Sequence, residues 1–304
     1  MATCNVAVIA AHIPPKTGDV FVAGYGSNGQ YGRIAKLWKN GESQDLQIVG
    51  EGHSEARSVF VYGNDVYVAG YDGNSAVLWK NGIAQNSFNS LIFTRANSVF
   101  VHDGDVFVVG SRFWKNGIIQ YWTDDGTNLS GGNSVYVSGG DVYVASGDGN
   151  YAQLWKNGNL QRSHYNGSGI NTGAYSVYVS GSDVYTAGYI SRRAVLWKNE
   201  ETQYFANEAV AYSVFVKGSD VYVAGQLGTA NLTAARLWKN GVEQNINVTS
   251  SSYSSARSVF VSGGIVYVAG CDLVGSRIVA RLWTNSLAQN LDGEMAYSVF
   301  VVEQ

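Results

Sequence analysis

Ser58-Val-Phe-Val61, Asp65-Val-Tyr-Val-Ala-Gly70 and Leu78-Trp-Lys-Asn-Gly82 follow one another closely, and their recurrence decides the fold. The first string returns at Ser98, Ser134, Ser176, Ser213, Ser258 and Ser298. The second begins at Asp19, Asp65, Asp105, Asp141, Asp183 and Asp220, with Ile265 in the seventh slot. The third carries Trp38, Trp79, Trp114, Trp155, Trp197, Trp238 and Trp283. β-Branched and aromatic residues fill the first two strings, as strands prefer. Their apolar runs barely alternate, so both faces of each sheet are expected to be buried. Asn-Gly, the strongest short hairpin signal, follows the tryptophan string at Asn40, Asn81, Asn116, Asn157 and Asn240. Each repeat therefore reads as four strands: A (Ser-Val-Phe-Val), B (Asp-Val-Tyr-Val-Ala-Gly), C (ending Leu-Trp-Lys) and D. Strand D holds Gln44, Gln85, Gln120, Gln161, Gln203, Gln244 or Gln289.

A period of about 41 residues lies in the range of four-stranded propeller blades. Stacked blades bury both faces of every sheet, which accounts for the weak alternation. The repeats resemble a seven-bladed β-propeller. They are similar to the VYVAG…LWKNG repeats of bacterial-type propeller proteins and, more loosely, to quinoprotein and WD-type blades. That resemblance implies an architecture and says almost nothing of activity. The phase of the repeats predicts the closure. The chain opens on a B strand at Asp19 and ends on an orphan A strand, so the final strand should enter blade one and remove an open edge. Val6 to Ala10 competes for that slot, but 296–301 matches the repeat and 6–10 does not. The expected organisation is an extension over 1–18 and one propeller over 19–304.

Composition narrows the function. The 304 residues include 37 glycines and two prolines, and 45% are hydrophobic, which excludes disorder. No apolar run approaches the ~18 residues of a membrane helix. Twenty Lys and Arg against 23 Asp and Glu give a net charge of −3 without a basic cluster, which argues against nucleic acid. Cys4 and Cys271 make no disulfide framework, though a single closing bridge stays open. The start lacks the basic and apolar regions of a signal peptide, whereas sequons at Asn128, Asn166, Asn231 and Asn247 lean toward secretion.

Length variation points to one face. The A–B and C–D turns share one end of each blade, and their lengths are fixed. From the last B residue to the Trp, by contrast, the distance runs from Gly110–Trp114 to Gly24–Trp38. Binding residues concentrate on variable loops held by a rigid scaffold, so the site is expected on the B–C/D–A face, here called the top. The residue before each Ser-Val-Phe/Tyr-Val should ring the channel mouth: Arg57, Asn97, Asn133, Tyr175, Tyr212, Arg257 and Tyr297. All can hydrogen-bond, and an Arg/Tyr/Asn ring suits a sugar, a carboxylate or a backbone segment. The long connections of blades one, six and seven should add Tyr25, Tyr31, Arg33, Arg236 and Arg281 as the tall side of a lopsided cup, with blade three as its low wall.

Chemistry for catalysis is thin. His12, His53, His102 and His164 fall in separate places and read as solvated loop residues. No metal motif appears, no glutamate is evidently placed to activate a tyrosine, and Thr123 to Thr127 reads as an acidic turn. The tryptophans of strand C read as core; Trp122, outside the pattern, could face solvent or a neighbouring blade. The expectation is a non-enzymatic propeller without cofactor or metal that binds glycan in a lectin-like manner. The alternative is a protein-interaction or scaffold propeller, with a hydrolase a distant third.

Overall fold

The structure, a computed structural model, describes residues 18–27, 29, 32–88, 94–122, 131–147, 149–165, 171–229, 232–248 and 253–303. Among them, twenty-eight strands form seven antiparallel sheets of four, arranged as a seven-bladed β-propeller. Blade two is Ser54–Tyr62, Asp65–Asp72, Ser75–Lys80 and Ile83–Phe88, ordered A to D from the channel outward. The other inner strands are Ala96–His102, Gly132–Ser138, Thr172–Ser180, Ala209–Lys217 and Ser254–Ser262. Met295–Val301 completes blade one, pairing with Val20–Ser27 through Val301↔Val20 and Val299↔Val22. The closure is the one that the repeat phase predicts. Val6 to Ala10 and Cys4 lie outside the described residues.

The core sits between blades. One layer joins Phe21, Ala35 and Leu37 of blade one to Val59, Val68 and Trp79 of blade two. Six of the seven strand C tryptophans are buried; Trp155 is only half-buried and donates Nε1 to Ser146 Oγ at 3.1 Å. Trp122 is core: it leaves strand D of blade three to meet Phe113 edge-on at 4.6 Å and packs with Val135 and Val137 of blade four.

The fixed turns explain why Asp and Lys-Asn recur together. Asn81, at φ +54°, donates Nδ2 to Asp65 (2.8 Å) and accepts the Val66 N–H (2.8 Å), while Lys80 pairs with Asp65 at 2.7 Å. In blade seven Ile265 and Thr284 replace the ion pair together, and Asn285 keeps the backbone bond to Val266 at 2.9 Å.

An inner strand exposes one row of backbone N–H groups to the channel, where no ladder partner exists. The repeat serine answers this need. Each serine Oγ accepts the valine N–H of the next blade at 3.2 Å, from Ser58 to Val99 around to Ser298 and Val59. Seven such bonds close a circle. Below it, Phe60, Phe100, Tyr136, Tyr178, Phe215, Phe260 and Phe300 form a second closed ring, neighbouring centroids 4.5–5.1 Å apart.

Above the serines every inner strand carries a β-bulge. In blade two Ala56 faces Gly70 and Ser58 faces Ala69, which leaves Arg57 as the extra residue. The bulge drives the Glu55 carbonyl onto strand B, where a Cβ on Gly70 would lie 1.9 Å from that oxygen. Hence the glycine that ends Val-Tyr-Val-Ala-Gly. Blade four has Ser146 in this place, and the strain is relieved on the facing strand instead. Gly131, at φ +71°, and Gly132 stand there, and Ser146 is fully buried without conflict.

Candidate functional site

All seven residues singled out for the channel mouth are bulge residues, and this is what brings them together. A bulge residue has no partner across the ladder, so its side chain is free of the strand's alternation. Consecutive blades place Tyr175, Tyr212, Arg257, Tyr297 and Arg57 in a continuous arc. The Tyr175 and Tyr212 rings are 5.3 Å apart, Arg257 lies 4.0 Å above Tyr212, and Arg57 lies 5.3 Å from Tyr297. Tyr25 meets Tyr297 at 5.9 Å and carries Arg33 at 4.6 Å; Tyr189 stacks on Tyr175 at 5.8 Å.

Asn97 and Asn133 complete the ring differently. Asn97 donates Nδ2 to the Gly132 carbonyl (3.0 Å), and Asn133 donates to that of Ala174 (2.8 Å). Both clip a blade to its neighbour, so these donors are engaged within the fold.

Arg236 and Arg281 are not at the mouth. The variable connections of blades six and seven are largely continued hairpin, with B strands Asp220–Thr229 and Ile265–Val274 against the shorter Asp105–Gly110 of blade three. Arg236 and Arg281 are thus mid-strand residues of C, opposite Gly225 and Gly270. Arg236 pairs with Glu243 at 2.9 Å. Arg281 is buried against Asp272 at 3.3 Å and bonds Asn290. The hairpins are uneven in length, and these two arginines pair within the blade wall. Tyr31 lies outside the described residues, as do Asn128, Asn166 and Asn231; Asn247 donates its amide to the Ser286 carbonyl at 3.1 Å.

One residue at the centre escaped the sequence reading. Glu55, wholly buried, accepts Arg33 Nη1 on one oxygen and Arg57 Nη2 on the other, the latter at 3.0 Å. It also hydrogen-bonds Tyr71, whose ring lies 4.8 Å from Arg95 and 5.6 Å from Arg57. A glutamate is therefore placed beside a tyrosine, contrary to expectation. Its position three residues before Ser58 looked like loop, whereas strand A begins at Ser54.

The mouth is built of donors. Burial pushes the Tyr25 phenol up to about 12, with Arg33 opposing the shift. Burial likewise holds Tyr175 and Tyr297 far above the ordinary tyrosine range. These phenols stay protonated and the guanidiniums stay charged, so the lining offers O–H and N–H groups to an acceptor-rich molecule. Cys271, buried beside them, has its thiol pushed up to about 11 by desolvation and is no nucleophile at neutral pH. Among the described residues no group of three His, Cys, Asp or Glu is placed to hold a metal ion.

No family model matches the sequence, and no curated protein matches it. Solved structures resemble its fold. The extracellular domain of BT4673 from B. thetaiotaomicron superposes with a TM-score of 0.53 at 9% identity, over 94% of this chain and 40% of that one. YCF48, solved with D1 peptide bound, gives 0.52 at 11% identity, over 94% of each chain. A protein from Bacteroides uniformis ATCC 8492, assigned as a 6-phosphogluconolactonase, gives 0.52 at 10%, over 95% and 98%. At such identities the likeness is one of seven-bladed propeller fold and transfers no residue roles.

The uniform face is not featureless. Cavities of about 410 Å³ and 360 Å³ open between blades five and six and between blades three and four. Their repeated polar groups are already engaged, Lys198 with Asp183 (2.8 Å) and Asn240 with Asp220 (2.8 Å). His164 departs from the solvated-loop expectation, whereas His53 is exposed between strands as expected. His164 stacks on Trp197 of the next blade at 4.9 Å, where burial lowers its pKa, and the His53 Nδ1 accepts the Arg33 N–H at 3.0 Å.

Proposed function

We propose that this chain is a non-enzymatic recognition propeller that binds glycan at the top-face mouth in a lectin-like manner. The arc Tyr175, Tyr212, Arg257, Tyr297 and Arg57 carries the reading. It joins ring faces, on which sugars stack, to fixed donors that meet sugar oxygens. Hydrolysis with Tyr71 as the nucleophile would require Glu55 to take its proton. Two guanidiniums already hold that carboxylate, and burial raises Tyr71, so neither group is poised for the transfer. A glycan array probed with purified protein tests the proposal. Binding to defined oligosaccharides, competed by free sugar, is expected; turnover of a bound glycoside would replace recognition with catalysis.

Protein recognition is the second reading. On the outermost strand of blade three and just past it, Ile118 and Tyr121 are about two-thirds exposed, an apolar edge of the kind that partners cover. YCF48, a propeller of similar fold, was solved with a peptide bound. A proteinaceous partner retained in the presence of free sugar would favour this reading.

A further inference from the structure

The two sides of the mouth differ in how their charge is met. On the side of blades one to three, Arg33 and Arg57 share the single carboxylate of Glu55. Arg257, on blade seven, has no carboxylate and no hydrogen-bond acceptor among the described residues; its Nε is buried without a partner, as is that of Arg57. Its flat face lies on Tyr212, so the guanidinium is held in place by a ring and keeps its N–H groups unspent. Tyr297 stands between Arg257 and Arg57, with its phenol within electrostatic reach of both. The protein as a whole carries −3, so attraction for an anion here is local to the mouth. A fixed guanidinium fork matches the paired oxygens of a carboxylate or sulfate, and phenols beside it add donors without adding charge.

We infer that the glycan taken by this mouth is anionic, and that Arg257 receives its carboxylate or sulfate group beside Tyr297. The inference rests on the glycan reading above and specifies its ligand class. Neutral sugars offer Arg257 hydroxyl acceptors but no counter-charge, whereas an anionic group offers both. An oxyanion supplies an ionic acceptor on the side of Arg257, as Glu55 does on the side of Arg33 and Arg57.

The test is an array with paired members: sialosides and uronides beside their methyl esters, sulfated glycans beside their unsulfated parents, and a set of neutral glycans. Binding is expected for acidic members alone, and it should weaken as salt rises. The carboxylate and sulfate pairs tell the two anions apart. Arg257→Gln should weaken the best acidic hit about ten- to hundred-fold. Arg257→Lys should restore part of the loss, and Lys198→Gln on the opposite face should change nothing. Unfolding curves for Arg257→Gln that overlay the parent's would tie the loss to the site. Equal binding of acids and esters, or hits confined to neutral glycans, would overturn the anionic inference and leave the glycan reading standing. No hit in any set would remove that reading itself.

Discussion

Arg257 and Ser258 are adjacent on one strand, yet the rings to which they belong follow opposite rules. The serine ring has one residue type seven times over, and each member bonds the next blade. The bulge ring has Arg, Asn and Tyr in unequal shares, and only Asn97 and Asn133 reach a neighbour's backbone. The difference lies in the ladder. A serine that answers an otherwise unpaired N–H cannot change without exposing that group. A bulge residue answers nothing in its own sheet, so its side chain can vary without disturbing register. Repetition marks what the ring needs to close, and variety marks what the closure leaves free.

Four experiments bear on this contrast. The most severe is deletion of 298–304, which removes a serine, an aromatic ring member and the inner strand of blade one together. Cooperative unfolding should be lost, and a truncated chain with an unchanged melting transition would refute the described closure. Next comes Gly70→Ser. The same residue is native at Ser146, but here its Cβ meets the Glu55 carbonyl, and overpacking of that kind costs about 1–3 kcal/mol. Denaturation of a Gly70→Ser variant as stable as the parent would show that the bulge does not require the glycine. Ser134→Ala, which strips the Val177 N–H of its acceptor, should cost about 1 kcal/mol, while Arg257→Gln should stay within about 0.5 kcal/mol of the parent. Equal losses from the two would erase the distinction between the rings.

The smallest effect concerns His164. Burial lowers its pKa in the folded state, so the unfolded chain binds a proton more readily. Its contribution is therefore full above the unfolded value near 6.5 and shrinks as pH falls below that value. His164→Phe should flatten the slope of stability against pH in that window, which denaturant titrations at several pH values would reveal.

What the sequence disclosed follows from the same contrast. Strand types, blade number and closure were legible because the repeat states them seven times. The mouth was legible because its residues adjoin the most constant string. Glu55 was not, since strand A runs three residues further than the string that marks it, into what reads as variable connection. Arg236 and Arg281 were misplaced for the converse reason. Their surroundings differ in length between blades and so read as loop, yet the chain continues there as hairpin, and strand alternation aims both at acids or amides on the blade wall. Length variation alone does not separate a longer strand from a longer loop.

The serine circle also bears on where a propeller can be cut. The junction between the two ends of the chain is made by Val299 to Ser258 and Val59 to Ser298, the same bonds at the same length as the five junctions within continuous chain. Chemically, no blade is first. Circular permutants that begin at any of the short A–B turns, with the old ends joined, should assemble the same ring, and the choice of starting blade becomes a matter of synthesis order.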